Sequence, residues 1–253
     1  MSNFLELAVL SAAMGFSIYL SLPLLMSHSL KGSTRTVLTA VAIGILVFLM
    51  ADVFSNVASL NVGSALFLTV PVYDLVFVLA AGGAFLMLLL SERHGDPAVT
   101  SSPYSLALVI ALAIGFQNLT EGLVFGAAWA AGAVGLSTVV FVGFFFQNLT
   151  EGFPIASPFL GETDRRLGRL AGLFLVGGLP TLLGGIIGYF YNSALLDILF
   201  GSLAIGAILY AILPMLRVAL RPAATPELSA ARLRLTYLGI LLGFLLGFGV
   251  NAF

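Results

Sequence analysis

The chain has 253 residues, of which 60% are hydrophobic and only 8% are charged, and its mean hydropathy is +1.13. Soluble domains carry about 25% charged residues, so this composition excludes a soluble globular protein. The high apolar content also excludes a disordered chain. The net charge of −1 argues against a nucleic-acid partner. The absence of cysteine excludes disulfides, thiolate metal sites and thiol catalysis.

Uniformly apolar runs of about 20 residues, the length that crosses a bilayer, recur along the chain. Eight such runs predict an all-α membrane protein, an eight-transmembrane-helix bundle that forms one domain over residues 1–253. The predicted spans lie near 4–27, 35–58, 67–90, 104–129, 134–160, 169–191, 195–219 and 230–252. The connections between them are short, so no separate soluble domain is expected.

The positive residues divide the connections between spans into two sets. All of them fall in or beside the connections 1–2, 3–4, 5–6 and 7–8. They are Lys31, Arg35, Arg93, Arg165, Arg166, Arg169, Arg217, Arg221, Arg232 and Arg234. The positive-inside rule therefore predicts that both termini lie outside. A signal peptide carries positive charge ahead of its apolar run, and none precedes span 1 here, so span 1 is expected to be retained.

Four acidic residues fall in the outer half of this topology, with no positive residue near them in sequence: Glu6, Asp52, Asp74 and Asp197. An outer face with only negative charge would attract cations. The alternative interpretation is that these acids merely mark helix ends. The sequence leaves both interpretations open.

One seven-residue segment occurs twice. Residues 116–122 and residues 146–152 both read Phe-Gln-Asn-Leu-Thr-Glu-Gly. The first copy lies near the middle of span 4 and the second near the middle of span 5, so both are expected close to the bilayer midplane on antiparallel neighbours. Inverted elements that meet at the midplane are a recurring way to build a transporter binding site.

Within each copy, the polar residues are spaced three and four apart, which places them on one helix face. The candidate ligands are therefore Gln117, Asn118, Glu121, Gln147, Asn148 and Glu151. If the two faces oppose each other, two carboxylates and four amides surround one point.

Two glutamates at this depth need compensation, because an ionised acid at a helix centre costs about 2.5–3.5 kcal/mol on insertion scales. No Lys, Arg or His lies between residues 95 and 164. A bound cation, protonation or water remain as means of compensation, and one divalent cation would balance both carboxylates. The alternative is that the motifs are amide-rich contacts that hold helices together. Paired glutamates without a basic partner are poorly suited to that role.

At these residues the chain resembles the ZIP family of divalent-metal transporters, whose spans 4 and 5 carry related Asn-x-x-Glu-Gly motifs. The resemblance extends to eight spans, outer termini and short loops. It implies that Glu121 and Glu151 are the main ligands of a divalent metal ion, with the four amides in support. It also implies that a transport bundle moves against a scaffold. Asp52, Asn56 and Asp74 are expected to form an entrance pathway.

The chain departs from the family pattern at several positions. Gln117 replaces the usual His of span 4, and Thr120 and Thr150 replace the usual Pro before each Glu, which predicts a less kinked helix. Asn148 stands where an acidic ligand is common, and Leu179 where some members have a metal-binding Glu before Pro. These departures suggest one metal site in place of two.

Several functions remain open at the level of sequence. The first is a secondary transporter of a divalent metal of the zinc, iron or manganese class. Oxygen ligands suit Mn²⁺, Mg²⁺ or Ca²⁺ better than Zn²⁺, which favours His and Cys. The second is a permease of the same fold with the glutamates as a proton relay. A silent relative and an intramembrane metal-dependent hydrolase are further alternatives, although no nucleophilic triad or P-loop is present and an enzyme is not expected.

The remaining features have simpler interpretations. His28 and His94 are interpreted as surface residues. Glycines spaced by four residues in spans 6 and 8 predict close packing within the chain, and a homodimer seam is the alternative. No cofactor beyond the transported ion is expected, and the partners are that ion and the lipid bilayer. Short loops and the lack of a targeting segment suggest a multi-pass protein of a prokaryotic inner membrane.

Overall fold

The computed structural model describes residues 2–22, 32–60, 66–67, 70–91, 102–160, 167–191, 193–221 and 225–251. Within these ranges the chain forms eight α-helices. They are α1 (Ser2–Phe16), α2 (Gly32–Leu60), α3 (Val72–Ser91), α4 (Pro103–Ala130), α5 (Val134–Ala156), α6 (Leu167–Phe190), α7 (Ala194–Ala219) and α8 (Pro226–Asn251). Two 3₁₀ turns, Ser17–Ser21 and Ser157–Phe159, continue α1 and α5.

Each predicted span overlaps one helix, but the predicted start of span 3 at residue 67 is wrong. Strands β1 (Leu66–Phe67) and β2 (Val70–Pro71) pair antiparallel there, and α3 begins only at Val72. Apolar β-branched and aromatic residues suit an extended backbone as well as a helix, so hydropathy alone could not separate the hairpin from the span. The predicted end of span 1, residues 23–27, lies outside the described residues.

Helices α4 and α8 each begin after a residue whose side-chain hydroxyl caps the helix. Ser102 caps α4 by accepting a hydrogen bond from the backbone N–H of Ser105 at 3.0 Å, and Pro103 follows it. At the start of α8, the Thr225 hydroxyl accepts from the backbone N–H of Leu228 at 3.3 Å. Both starts follow the rule that Ser or Thr caps a helix and Pro occupies its first position.

Seven of the eight helices in the described chain are long and apolar enough to cross a membrane. The helix outside this set is α5, which has 23 residues and carries the second copy of the repeated motif. The structure therefore defines an all-α protein that crosses a membrane several times.

The helices form one bundle in which two groups of neighbours can be distinguished, and the contact between the groups is as extensive as several contacts within them. In the first group, α4 packs along α6, α1 packs on α6 and α5, and α4 packs on α5. In the second group, α2 packs along α8, and α7 packs on both α2 and α3. The main contact between the groups is α4 against α7, where the rings of Phe116 and Phe200 stack with centroids 6.2 Å apart.

The glycine ridges lie inside this bundle. Side chains at Gly184 and Gly188 of α6 would meet the backbone of α4, and side chains at Gly239, Gly243 and Gly247 of α8 would meet α2. Small residues allow helices to approach this closely. The prediction that these ridges pack within the chain is confirmed.

Candidate functional site

The two motif copies are brought together by a tight helical hairpin. Helix α4 ends at Ala130 and α5 begins at Val134, with Gly132 between them at a φ of 68°. Gln117 lies thirteen residues before the end of α4, and Gln147 lies thirteen residues after the start of α5. Because both helices rise by about 1.5 Å per residue, Gln117 and Gln147 stand at the same height, and the two copies run away from this level in opposite directions.

The two polar faces oppose each other across this hairpin. The Asn118 side-chain amide donates to Asn148 Oδ1 and to Glu151 Oε2, both at 2.8 Å. In the other direction, the Gln147 amide donates to Glu121 Oε1. All six residues predicted as ligands therefore belong to one cluster, which we call the paired-glutamate cluster: Gln117, Asn118, Glu121, Gln147, Asn148 and Glu151.

Hydrogen bonds within each helix complete the network. The Gln117 amide donates to Glu121 Oε1 at 3.0 Å, and the Gln147 amide also approaches Glu151 Oε1 at 3.5 Å. The Asn148 amide donates to the Phe144 carbonyl at 2.9 Å. Each glutamate is thus held by amide groups from both motif copies.

The cluster is closed off from solvent. Glu151 and both asparagines have no exposed surface, and Glu121 retains only 6%. No Lys, Arg or His occurs between residues 95 and 164, so neither helix of the hairpin offers a basic partner to the two carboxylates. Burial of charge in such surroundings is costly unless a counter-charge is bound.

Four oxygen atoms of the cluster are buried and have no hydrogen-bond partner among the described residues. They are Gln117 Oε1, Asn118 Oδ1, Glu121 Oε2 and Gln147 Oε1. Buried polar atoms are normally paired, and an unpaired group calls for an explanation such as a bound ion or water. Carboxylate and amide oxygens are the donors that hard divalent cations prefer. The cluster can therefore bind such a cation through oxygen atoms alone.

The cluster is not a conventional metal centre of acidic and imidazole ligands. The described residues contain no group of three or more His, Cys, Asp or Glu side chains that could hold a metal ion. Its donors are two carboxylates and four amides. The two carboxylates together carry the charge that would balance one divalent ion. With oxygen ligands alone, selectivity between ions would depend on the number and arrangement of those oxygens.

The last residue of each motif copy is a glycine that permits close packing behind the cluster. A side chain at Gly122 would meet the Thr181 carbonyl and the backbone of α6, and one at Gly152 would meet Ser21 of the first 3₁₀ turn. The glycines therefore fix the motif helices against their neighbours, while the glutamates one residue earlier join the cluster.

The threonine of each copy bonds to its own helix. Thr120 donates to the Gln117 carbonyl and Thr150 to the Gln147 carbonyl, both at 2.7 Å. The α-helix is continuous through both threonines, and Pro154 lies further along inside α5. Threonine thus keeps the helical path where proline would remove a backbone donor.

One contributor was missed by sequence reasoning. The Gly177 carbonyl of α6 accepts a hydrogen bond from the Asn118 amide at 3.0 Å. Pro180 follows three residues later inside α6 and weakens the local backbone ladder. The Gly-Gly-Leu-Pro segment at 177–180 was the available signal, but its partner helix depends on tertiary packing.

The three predicted pathway residues, Asp52, Asn56 and Asp74, differ in burial. Asp52 of α2 is partly buried, and its negative charge would repel those of both Glu121 and Glu151. Asn56, one turn further, and Asp74, in the first turn of α3, are exposed. The structure thus brings Asp52 near the cluster and leaves Asn56 and Asp74 on the surface. His28 and His94 lie outside the described residues.

Comparison with known proteins assigns the chain to no family. No family model matches the chain, and no curated protein matches it. The chain is an α-helical membrane protein with a buried, oxygen-rich polar cluster.

Proposed function

We propose that the protein is a secondary transporter of divalent metal cations, with the ion bound between Glu121 and Glu151. The observation that carries the proposal is a set of four buried oxygens that have no hydrogen-bond partner in the described part of the chain, three from amides and one from Glu121 itself. They lie on a hairpin without a basic residue. A divalent cation would satisfy the oxygens and balance both charges. The ZIP-like sequence motifs support the same assignment.

The donor set favours a hard ion. All side-chain donors of the cluster are oxygens, and the described part of the bundle places no imidazole or thiolate beside them. Mn²⁺ fits this environment best among the ions that the resemblance implies. Zn²⁺ and Fe²⁺ are retained as substrates because the related motifs occur in carriers of those ions.

The proposed topology has eight spans with both termini outside. Helix α5 is included as span 5 and brings the number of spans to eight, because it pairs with α4 through a three-residue turn and Gln147 lies at the height of Gln117. The positive residues of the connections support the orientation. The membrane proposed is a prokaryotic inner membrane.

Transport requires the cluster to face each side of the membrane in turn. The cluster lies wholly within the group formed by α1, α4, α5 and α6, and hydrogen bonds such as that from the Tyr19 hydroxyl to the Ala171 carbonyl at 2.7 Å stabilise this group. Apolar contacts between α4 and α7, including the stacked Phe116 and Phe200, allow sliding with little loss of directional bonding. We therefore assign movement to this first group against α2, α3, α7 and α8.

Asp52 fits the role of an entrance residue. It belongs to the second group, yet it interacts with both glutamates of the first. A carboxylate on the opposite group would attract a cation towards the cluster and would separate from it when the groups move. Asn56 and Asp74 are exposed and would act earlier on the same route.

The experiment is uptake into sealed proteoliposomes across Mn²⁺, Fe²⁺, Zn²⁺, Co²⁺, Cd²⁺, Mg²⁺ and Ca²⁺. We expect saturable uptake, with Mn²⁺ among the best substrates, and its loss in the Glu121→Gln/Glu151→Gln double variant. Glu227→Gln is the matched control, because it makes the same chemical change at an exposed carboxylate in the first turn of α8. Absence of uptake for every ion by folded wild-type protein would overturn the proposal and favour the proton-relay permease.

A further inference from the structure

One amide of the cluster touches both carboxylates. Gln147 Nε2 donates to Glu121 Oε1 and approaches Glu151 Oε1 at 3.5 Å. The Gln117 amide, its counterpart in the other copy, donates to Glu121 alone, at 3.0 Å. The two glutamines occupy equivalent positions of identical motifs, so this difference arises from the way the two helices face each other.

The orientation of the Gln147 amide follows from chemistry. An ionised carboxylate only accepts hydrogen bonds, so the amide must present its N–H groups and not its oxygen. The Oε1 atoms of Gln147 and Gln117 consequently point elsewhere, and both are buried without a partner in the described structure. Each amide thus carries an unused oxygen beside the cluster.

A cation and the Gln147 N–H groups compete for the same carboxylate oxygens. An ion that binds between Glu121 Oε1 and Glu151 Oε1 displaces the N–H groups, and a half-turn of the amide brings the Gln147 Oε1 atom into their place. The side chain can therefore serve the two carboxylates in one orientation and the cation in the other. Amide groups suit this exchange because their N and O ends have nearly the same shape.

A carrier that has delivered its ion must return with its binding site unloaded. During that return the two carboxylates face each other in buried surroundings, and neither motif helix supplies a basic residue. Hydrogen bonds to a charged acceptor are roughly twice as strong as neutral ones, so an amide that bridges both carboxylates offsets part of their repulsion.

We propose that Gln147 stands in for the cargo cation during the return of the unloaded carrier, by bridging Glu121 and Glu151 through its amide N–H groups. The inference rests on the proposed transport function and assigns Gln147 a role beyond that of a ligand. Its consequence is kinetic: Gln147 is required for net transport, which includes the unloaded return, more than for exchange, in which the site crosses loaded in both directions.

The test compares two fluxes in the same proteoliposomes. Uptake of radiolabelled Mn²⁺ is measured with a chelator inside, which forces an unloaded return, and with unlabelled Mn²⁺ inside, which permits exchange. If another ion of the series is transported faster by the wild type, that ion is used. The variants are Gln147→Ala and, as a matched control, Gln117→Ala. Both substitutions remove a side-chain amide, but only Gln147→Ala removes the amide that contacts both Glu121 and Glu151.

For Gln147→Ala we expect the ratio of net uptake to exchange to fall about tenfold, which corresponds to loss of one hydrogen bond to a charged group. The Gln117→Ala ratio should stay within about threefold of the wild type, because its amide serves one carboxylate. If the alanine variant does not fold, Gln147→Met replaces it, because methionine preserves the side-chain volume without N–H groups. The same fall in the ratio of net uptake to exchange is expected.

Two results would overturn the inference, and they differ from failure of the proposed function. A parallel loss of net uptake and exchange in the Gln147 variants would make Gln147 an ordinary ligand. An equal change of the ratio in the Gln117 variant would show that bridging is irrelevant. Absence of both fluxes for every ion in the wild type would instead overturn the transport function itself.

Discussion

The side-chain amide of Asn118 donates a hydrogen bond to Glu151 across the α4–α5 hairpin, with an N–O distance of 2.8 Å. Asn118 belongs to the first motif copy and Glu151 to the second, so this hydrogen bond joins the two copies. The same amide reaches the Gly177 carbonyl of α6 at 3.0 Å. Asn118 therefore connects three helices at the level of the cluster.

Replacement of Asn118 should destabilise the protein. Asn118→Ala leaves the oxygens of Asn148, Glu151 and Gly177 without the donor that now serves them. Each buried group left unsatisfied costs about 1–3 kcal/mol, so we expect a loss of at least about 2 kcal/mol. Thermal unfolding in detergent measures the change, with the exposed Asn56→Ala as control. Equal melting temperatures for the two variants would show that the Asn118 contacts contribute nothing.

The glycine behind the first motif copy provides a second prediction. A side chain at Gly122 would collide with the backbone of α6, whereas nothing lies within 4 Å of the side-chain position at Gly143 of α5. Gly122→Ala should therefore cost about 1–3 kcal/mol of stability through overpacking. Gly143→Ala should be neutral or stabilising by up to about 1 kcal/mol, because alanine favours a helix. The reverse order of melting temperatures would contradict this packing.

Ligand chemistry gives a prediction about selectivity. Gln117 contributes an amide to Glu121, and histidine at this position would add an imidazole nitrogen to an all-oxygen donor set. Zn²⁺ binds imidazole well, whereas Mn²⁺ gains less from it. Gln117→His should raise uptake of Zn²⁺ relative to Mn²⁺ in competition assays. Gln117→Asn keeps an amide and serves as the control, with an unchanged preference expected. An unaltered preference in the histidine variant would place Gln117 outside the ion's coordination.

The proposed orientation can be tested with single cysteines, because the native chain contains none. Ser33, at the start of α2, and Ala131, in the α4–α5 turn, are both exposed. The eight-span topology puts them on opposite sides of the membrane. In intact cells, a membrane-impermeant thiol reagent should label Ala131→Cys, and it should label Ser33→Cys only after the membrane is permeabilised. Labelling of both positions in intact cells would contradict the topology.

The central element of the cluster could be predicted from the sequence. The two motif copies are identical and lie thirty residues apart, so a helical hairpin that turns midway between them brings Gln117 and Gln147 to one height. The tight turn at Gly132 satisfies that condition. Periodicity then puts Asn118 and Glu121 on one face, which is why all six cluster residues could be named in advance.

Other details depend on contacts that a sequence does not display. The strand pair of Leu66–Phe67 with Val70–Pro71 has the same apolar composition as a membrane span, so hydropathy places the start of α3 too early. The Gly177 carbonyl joins the cluster only because α6 packs along α4. The unequal roles of Gln117 and Gln147 could not be read from identical motifs, because they arise from the relative rotation of two helices.

Equilibrium binding of Mn²⁺ to the purified protein in detergent tests most directly whether the paired-glutamate cluster binds one divalent cation. We expect one ion per chain for the wild type and for Glu227→Gln, and no specific binding for Glu121→Gln/Glu151→Gln. Unchanged binding in the folded double variant would contradict this expectation, as would a wild-type protein that binds none of the divalent ions in the uptake series.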